Sequence, residues 1–312
     1  MRIISFQWPN GTHDIGVING DGIVSVRHHA PDLPTDLGAL LGQPDWRAQL
    51  DSIAGLPADV TLDGIKFDPL IRAPHAIWAL ALNFKSHIQE TGLTTNPDFP
   101  HLFMRHASAQ VGHGQPLLAP APSVARAYDY EGELAVVIGL AGRHIPREKA
   151  YEHVAGYTIF NEGSVREFQT HNRQFGLGKN FEASGSLGPW LVTPDELGLP
   201  STKTVRTIIN GVERQRAPLD DMLFDVADVI HYLSTGYTLR PGDVIAMGTP
   251  GALHPQPGDD AGDIRHQFGP IKYAGMVHMV PGDEVHVEID GIGRLSNTVV
   301  ADAPAQYRVG LI

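Results

Sequence analysis

Two glutamates with one residue between them, Glu131 and Glu133, are the part of this sequence with the clearest chemistry. They stand at the start of the apolar run 134–138, which is typical of a buried β-strand. Because side chains alternate along a strand, both carboxylates project from the same face. Adjacent carboxylates repel each other unless a cation or protons neutralise them. The spacing predicts a site for a hard divalent cation, and the alternative is a solvated pair at an exposed strand end.

The first seventy residues predict a small α+β module without obvious chemistry. Strand-like runs alternate over residues 1–27 with the turn signals 10–11 and 19–22, which are typical of β-hairpins. Residues 35–55 predict one or two short helices, and residues 56–74, punctuated by proline and aspartate, predict a connector. We therefore expect a small N-terminal domain over residues 1–70 and a second domain over residues 71–312.

The larger part of the chain predicts many strands and few helices. Strands are expected at 77–82, 133–138, 156–160, 244–247, 284–288 and 293–299, and helices at 84–90 and 226–233. A regular alternation of strands and helices is absent, so we expect a mixed α/β but β-rich fold, with a roll or sandwich in the second domain. Residues 251–275 predict a long loop with a solvated acidic cluster.

Composition narrows the functional classes open to this 312-residue chain. Its formal net charge of −12 disfavours nucleic acids and anionic membranes as partners, because phosphate binding needs basic patches. The lack of cysteine excludes disulfides, thiolate metal sites and a cysteine nucleophile. No apolar stretch approaches the ~20 residues that span a bilayer, and the apolar run at 1–6 is too short for a signal peptide. A soluble cytoplasmic protein is expected.

Short motifs spread over residues 72–300 together resemble the fumarylacetoacetate hydrolase family. Each motif is weak alone, but their joint order and spacing are highly specific. In chain order they are Leu82-Asn83-Phe84 followed by His87-x-x-Glu90, Asp129-Tyr130-Glu131-Gly132-Glu133, Ala155-Gly156-Tyr157-Thr158, Asn161-Glu162-Gly163-Ser164-Val165-Arg166-x-x-Gln169, Gly178-Lys179-Asn180-Phe181, Leu187-Gly188-Pro189-Trp190, Gly242-Asp243-Val244-Ile245 and Gly248-Thr249-Pro250. The resemblance implies the β-rich roll of that family for the second domain, and a metal-dependent enzyme.

The resemblance implies Mg2+ or Mn2+ bound by three carboxylates. Two of these correspond to Glu131 and Glu133. The third corresponds to Glu162, at a position where most members of the family have aspartate. The longer side chain sets its carboxylate back by one methylene. This departure affects the expectation for the exact substrate more than the expectation for a metal.

His87 and Glu90 are three residues apart and share a face on a short helix. Alone, such a pair is typical of a surface. The resemblance implies instead that Glu90 orients the imidazole. His87 would then take a proton from the water molecule that attacks a carbonyl of the substrate.

The resemblance implies further binding residues. Arg166 and Gln169 would bind the substrate, and a structural ion pair is the alternative for Arg166. Lys179 would stabilise negative charge near the metal. Thr249 would bind the substrate carboxylate through its hydroxyl. Arg105, where many members have lysine, is a candidate specificity residue.

These implied residues predict a hydrolase that breaks a carbon–carbon bond in a β-diketone acid such as an acylpyruvate, in the catabolism of aromatic compounds or sugar acids. The alternatives at the same site are decarboxylation of a 2-oxo acid and isomerisation or hydration of an unsaturated one. An alternative of another class is a non-catalytic metal-binding protein. The expected partners are a small 2-oxo acid and, from the resemblance, a second copy of the chain in a homodimer.

Overall fold

Strands dominate the computed structural model, which describes residues 1–90, 93, 95–253 and 278–302 and the backbone of two short strands within 254–277. The strands are β1 Arg2–Gln7, β2 His13–Asn19, β3 Gly22–Ser25, β4 Val60–Thr61, β5 Lys66–Phe67, β6 Ile77–Ala81, β7 His101–Arg105, β8 Gln110–Val111, β9 Leu117–Ala119, β10 Tyr128–Asp129, β11 Gly132–Ile138, β12 Val154–Asn161, β13 Ser164–Val165, β14 Gly185–Val192, β15 Thr204–Ile209, β16 Val212–Pro218, β17 Val244–Ala246, β18 Ile264–His266, β19 Gly269–Ile271, β20 Glu284–Ile289 and β21 Gly293–Ala301. The α-helices are α1 Val26–His29, α2 Leu37–Leu41, α3 Trp46–Asp51, α4 Lys85–Glu90, α5 Arg166–Gln169, α6 Pro194–Leu197 and α7 Val226–Gly236.

A twelve-stranded mixed sheet contains both the N-terminal strands and much of the second part of the chain. Its order is β4-β3-β2-β1-β14-β12-β11-β17-β6-β7, with β5 on β1 and β8 on β14. The two predicted N-terminal hairpins are present, and β1 pairs antiparallel with β14, so that Arg2 lies opposite Val192. The first three strands therefore extend the sheet of the second part. The predicted boundary near residue 70 stays a prediction.

A five-stranded sheet, ordered β16-β15-β20-β21-β9, packs against the large sheet. Buried apolar side chains from both sheets and from α7 form the largest core cluster among the described residues. Its members include Val136, Ile159, Val205, Ile230 and Val287. The predicted β-rich mixed α/β fold is confirmed, because two packed sheets contain most of the described strands and the helices are few and mostly short.

The predicted elements of the second part are present with small changes at their ends. Helix α7 begins at the capping box formed by Asp225 and Asp228 and continues to Gly236, one turn beyond the predicted end. The predicted connector 56–74 contains β4 and β5. Most of the predicted loop 251–275, with its acidic cluster, lies outside the described residues. None of the described helices has the length and apolar character needed to cross a membrane.

Candidate metal centre and active site

The three predicted carboxylates meet at one end of the large sheet. Glu131 precedes β11 and Glu133 lies in it, while Glu162 follows β12, the antiparallel partner of β11. The backbone amide of Glu162 donates a 2.8 Å hydrogen bond to the carbonyl of Glu131. One carboxylate oxygen from each residue lies within 4.8 Å of the other two, and all three residues are buried. The structure therefore brings together the carboxylates that the sequence singled out.

The glycine between the two acids is required by the second sheet. Since Glu131 and Glu133 project from one face of β11, residue 132 faces the other side. A Cβ on Gly132 would lie 2.2 Å from Oγ1 of Thr207 and 2.9 Å from Cγ1 of Val287, which belong to β15 and β20. Glycine thus lets the strand that carries both acids pack directly against the five-stranded sheet.

Burial and mutual repulsion determine how readily the three carboxyl groups ionise. Burial raises the pKa of the Glu133 carboxyl well above its usual range, and the charges of Glu162 and Glu131 add to this effect. Burial also raises the pKa of the Glu162 carboxyl. Burial opposes ionisation of Glu131 too, but Arg166 and Lys179 outweigh it and hold the pKa of that carboxyl below its usual range. Glu133 and Glu162 therefore need a further cation to be stable as carboxylates.

Lys179 is an ammonium that contacts two of these carboxylates. Its Nζ lies 2.8 Å from Oε1 of Glu131 and 2.6 Å from Oε2 of Glu162. It ends the 3-10 turn Leu177–Lys179, which packs so closely against α5 that a Cβ on Gly178 would lie 2.0 Å from the backbone nitrogen of Gln169. The close packing of this turn positions the ammonium between the two acids.

The donor atoms of this site fit a hard divalent cation. Oε1 of Glu133 and Oε1 of Glu162 are buried and have no hydrogen-bond donor among the described residues. The three candidate ligands all offer carboxylate oxygen, which Mg2+ and Mn2+ prefer. Glu131, Glu133 and Glu162 would therefore hold Mg2+ or Mn2+, as predicted.

His87 and Glu90 form a hydrogen-bonded pair on α4. Nδ1 of His87 lies 3.0 Å from Oε2 of Glu90, and both side chains are about nine-tenths buried. Because a carboxylate accepts the Nδ1 proton, Nε2 is the ring nitrogen left to exchange a proton with a ligand. His87 lines the same cavity as Glu131 and Glu162. The geometry agrees with the predicted base and orienting residue, and their catalytic role stays a prediction.

The cavity is lined by both charged and apolar side chains. Its volume is about 200 Å3. Besides His87, Lys179 and the two carboxylates Glu131 and Glu162, it is lined by Leu80, Ala81, Leu82, Leu93, Arg166, Gln169, Thr170, Phe175 and Thr249. A small acid with a polar end and an apolar end fits this distribution of side chains.

Arg166 and Gln169 line the cavity, and the guanidinium is bound to protein groups. Nε and Nη2 of Arg166 donate to Oδ2 of Asp129 at 2.9 and 2.7 Å. Nη1 donates to Oε1 of Gln169 at 2.7 Å and lies 2.5 Å from Oε1 of Glu131. The ion pair named as the alternative for Arg166 is therefore present, and its substrate contact stays a prediction. Sequence reasoning missed Asp129 as the partner, although it stands two residues before Glu131.

Thr249 also lines the cavity, and its hydroxyl is tied to the strand of the two acids. It donates to the carbonyl of Gly132 at 3.1 Å and accepts from Nε2 of Gln215 at 2.8 Å. Oε1 of the same Gln215 accepts the backbone amide of Gly132 at 3.1 Å. The predicted contact of Thr249 with a substrate carboxylate stays a prediction. Gln215, on β16, was missed because a glutamine in a strand gives no distinctive sequence signal.

Arg105 lies beside Glu162 and is not among the described residues that line the cavity. Its side chain is fully buried, and its Nη1 lies 3.6 Å from Oε1 of Glu162. The predicted role in substrate specificity stays a prediction, and the position of this residue shows contact with a candidate metal ligand.

Comparison with known proteins agrees with this site. The family described as fumarylacetoacetate (FAA) hydrolase C-terminal matches residues 76–300. An oxaloacetate tautomerase from Bacillus subtilis is 35% identical over 232 residues, which are 74% of this chain and 71% of that protein. A mitochondrial oxaloacetate tautomerase from Homo sapiens is 32% identical over 308 residues, which are 96% of this chain and 92% of that protein.

A solved structure that contains a metal ion has a similar fold. It is a maleylpyruvate hydrolase from Sphingobium sp. SYK-6 in complex with manganese(II) and pyruvate, with a TM-score of 0.75 and 25% identity over 96% of this chain and 99% of that one. Its manganese ion agrees with the buried carboxylates found here. The matches include tautomerase and hydrolase activities, so the family is enzymatic and its reactions are diverse. This chain belongs to the fumarylacetoacetate hydrolase family.

Proposed function

We propose that this chain is a metal-dependent enzyme that transfers a proton at the carbon next to the keto group of a small 2-oxo acid. Keto–enol tautomerisation of oxaloacetate is the first candidate reaction. The observation that carries this proposal is that His87, paired with Glu90, lines the same cavity as the candidate metal ligands. The Bacillus subtilis and human relatives, both named as oxaloacetate tautomerases, support this substrate.

The chain's own side chains would move the proton. Nε2 of His87 accepts a proton from carbon 3 of the substrate, and Glu90 stabilises the imidazolium that forms. The electron pair of the broken C–H bond forms the carbon–carbon double bond of the enol. The π pair of the carbonyl moves onto the keto oxygen, which then takes a proton from solvent water. Lys179, which also lines the cavity, stabilises negative charge that develops on that oxygen. When bound, the divalent cation supplies a Lewis acid for the keto and carboxylate oxygens.

Hydrolysis of an acylpyruvate is the second candidate. It is favoured by the apolar part of the cavity wall, formed by Leu80, Leu82, Leu93 and Phe175, which would accept an acyl group. In this reaction Nε2 of His87 takes a proton from water. The water oxygen bonds to the acyl carbonyl carbon, and the carbon–carbon bond breaks so that its electron pair leaves with pyruvate as the enolate. The imidazolium of His87 then returns its proton to carbon 3 of that enolate, which gives pyruvate and the carboxylic acid. The related maleylpyruvate hydrolase supports this reaction class.

The two reactions are separated by their products. Protein loaded with Mg2+ or Mn2+ would be mixed with enol-oxaloacetate, and the ultraviolet absorbance of the enol followed while pyruvate is measured separately. A tautomerase speeds the loss of the enol and leaves total oxaloacetate unchanged. Release of pyruvate from oxaloacetate would identify a decarboxylase. Release of pyruvate and a carboxylic acid from an acylpyruvate would identify a hydrolase.

The controls connect each activity to this site. Removal of the metal by EDTA and the variant His87→Ala should both abolish the acceleration, because the first removes the Lewis acid and the second removes the base. Cleavage of acylpyruvates without any effect on the enol of oxaloacetate would overturn the first candidate. Activity that persists in rigorously metal-free protein would overturn the metal-dependent mechanism in both candidates.

A further inference from the structure

Arg105 is a buried cation that the proposed reaction does not use. Its Nη1 donates a 3.0 Å hydrogen bond to the carbonyl of Gly163, and its Nη2 donates a 3.2 Å bond to the hydroxyl of Ser184. Its guanidinium carbon lies 5.6 Å from the centre of the Phe160 ring. A fully buried guanidinium without a carboxylate nearby would be strongly destabilising. Glu162, with Oε1 at 3.6 Å from Nη1, supplies that negative charge.

The backbone that carries Glu162 is fixed by close packing. A Cβ on Gly163 would lie 1.6 Å from the carbonyl oxygen of Ser184, so these two segments are in direct contact. Arg105 spans the same two segments through its bonds to Gly163 and Ser184. Because the neighbouring backbone is closely packed, the position of the Glu162 carboxylate depends mainly on its side-chain torsions and on the cations beside it.

Each oxygen of Glu162 faces a different cation. Oε2 lies 2.6 Å from Nζ of Lys179, and Oε1 faces Nη1 of Arg105 and has no hydrogen-bond donor among the described residues. A glutamate has one more rotatable bond than an aspartate and loses more side-chain entropy when it is fixed. A cation on each side restricts that extra torsion and aims the carboxylate at the other two acids.

We propose that Arg105 is a positioning residue for the metal site, and that Arg105 and Glu162 act as a matched pair. The planar guanidinium holds its donors in one rigid plane, so its Nη1 and Nη2 donate to Gly163 and Ser184 while Nη1 also lies beside Glu162. A lysine ammonium is instead a single point charge on a flexible stem. Arg105 thus holds the longer carboxylate in a geometry that binds a divalent cation. The inference rests on the metal site and is independent of which of the two candidate reactions the chain catalyses.

A double-mutant cycle on metal affinity tests this pair. Mn2+ would be titrated into full-length wild type, Arg105→Lys, Glu162→Asp and the double variant, with free Mn2+ measured by electron paramagnetic resonance. Arg105→Lys keeps the charge, so it reports on geometry and not on electrostatic repulsion of the metal. We expect Arg105→Lys to weaken Mn2+ binding about 10-fold in the wild-type background and less than about 2-fold in protein that carries Glu162→Asp, where the contact is already lost.

Controls keep the outcome decisive. Arg126→Lys changes an exposed arginine that bonds the carbonyl of Pro122, and should leave Mn2+ affinity unchanged. An Arg105→Lys protein that binds Mn2+ within about 2-fold of wild type, or losses that multiply in the double variant, would overturn the proposal. If Arg105→Lys does not fold, Ser184→Ala takes its place, because it removes one acceptor of the guanidinium. It should weaken Mn2+ binding less than Arg105→Lys, and it should have no further effect in protein that also carries Glu162→Asp. Since the readout is metal binding, failure of the proposed reaction does not affect the result.

Discussion

Glu133 and Gly248 are joined by a hydrogen bond that satisfies half of a buried carboxylate. Oε2 of Glu133 accepts the backbone amide of Gly248 at 2.9 Å, whereas Oε1 has no donor among the described residues. Gly248 has a φ of +87°, and a Cβ there would lie 2.9 Å from Cβ of Asn83. Asn83 in turn donates to the carbonyl of Met247 at 2.7 Å. The glycine turn therefore fixes one carboxylate oxygen and leaves the other for a metal ion.

Replacing this carboxylate by an amide should separate stability from metal binding. In metal-free protein the Glu133→Gln variant should be as stable as wild type or more stable, because burial raises the pKa of the Glu133 carboxyl and the amide resembles the protonated form. Addition of Mn2+ should raise the melting temperature of wild type and leave that of the variant unchanged, because a ligand is lost. Thermal unfolding with and without Mn2+ measures both. An equal metal-dependent shift in the two proteins would show that Glu133 is not a ligand.

The paired His87 and Glu90 should affect turnover without affecting the metal. We expect His87→Ala to lower kcat by about 10²–10⁴-fold, the usual effect of losing a general base. Glu90→Gln should lower kcat less, because the amide can still orient the ring but no longer stabilises a charged imidazole. Mn2+ affinity should be unchanged in both variants. His153→Ala, at a histidine that bonds the carbonyl of Leu140, is the matched control. Full activity of His87→Ala would remove the dyad from the mechanism.

The sequence predicted the N-terminal hairpins and several strands of the second part, whereas strands β7, β14, β15 and β16 were not predicted. Turn signals at Asn10-Gly11 and at residues 19–22 predicted hairpins, and both are present, because such turns depend on local backbone preferences. The pairing of β1 with β14 joins residues far apart in the chain, and local patterns do not encode such pairings. The extension of the large sheet by the N-terminal strands could therefore be found only in the structure.

In the site, too, local relationships were predicted from the sequence and contacts between distant elements were not. Glu131 and Glu133 were predicted to share a face because strand alternation is local, and His87 and Glu90 because helix spacing is local. The partners of the predicted side chains come from other elements. Asp129 binds the Arg166 guanidinium, and which acid reaches an arginine depends on the full three-dimensional packing.

Gly178 should be intolerant of a side chain, because it fixes the turn that carries Lys179. A Cβ there would lie 2.0 Å from the backbone nitrogen of Gln169, a contact that only movement of the backbone can relieve. Gly178→Ala should lower the free energy of unfolding by about 1–3 kcal/mol, the usual cost of overpacking. It should also weaken Mn2+ binding, because Lys179 shifts relative to Glu131 and Glu162.

Urea unfolding and Mn2+ titration measure the two effects of Gly178→Ala. The matched control is Gly55→Ala, since a Cβ on Gly55 meets no atom within 4 Å. This control should leave both quantities near the wild-type values. A Gly178→Ala protein that matches the control in stability and metal affinity would contradict the close packing of the turn against α5.

His113 should make the fold sensitive to mild acid. Its Nδ1 accepts the backbone amide of Ser296 at 3.1 Å, and protonation of Nδ1 would abolish that bond. Burial lowers the pKa of the His113 imidazole below its ordinary value of 6.5, and the positive charge of His286 lowers it further. Between the folded and unfolded pKa values the unfolded chain binds more protons, so the free energy of unfolding falls as pH decreases below 6.5. The stabilisation that neutral His113 gives the folded chain is therefore complete above pH 6.5 and decreases below it.

The difference between wild type and His113→Gln isolates this effect from the other titrating groups. Urea unfolding at about pH 7.5 and pH 5.5 should show a smaller loss of stability in the variant, by at most about 1.4 kcal/mol for each pH unit below the ordinary value. His101→Gln, at an exposed histidine, should follow the wild-type curve. The variant will be less stable than wild type at the higher pH if glutamine does not replace the bond to Ser296, so the comparison rests on the slope with pH. Equal slopes for His113→Gln and wild type would show that the imidazole titrates alike in the folded and unfolded chain.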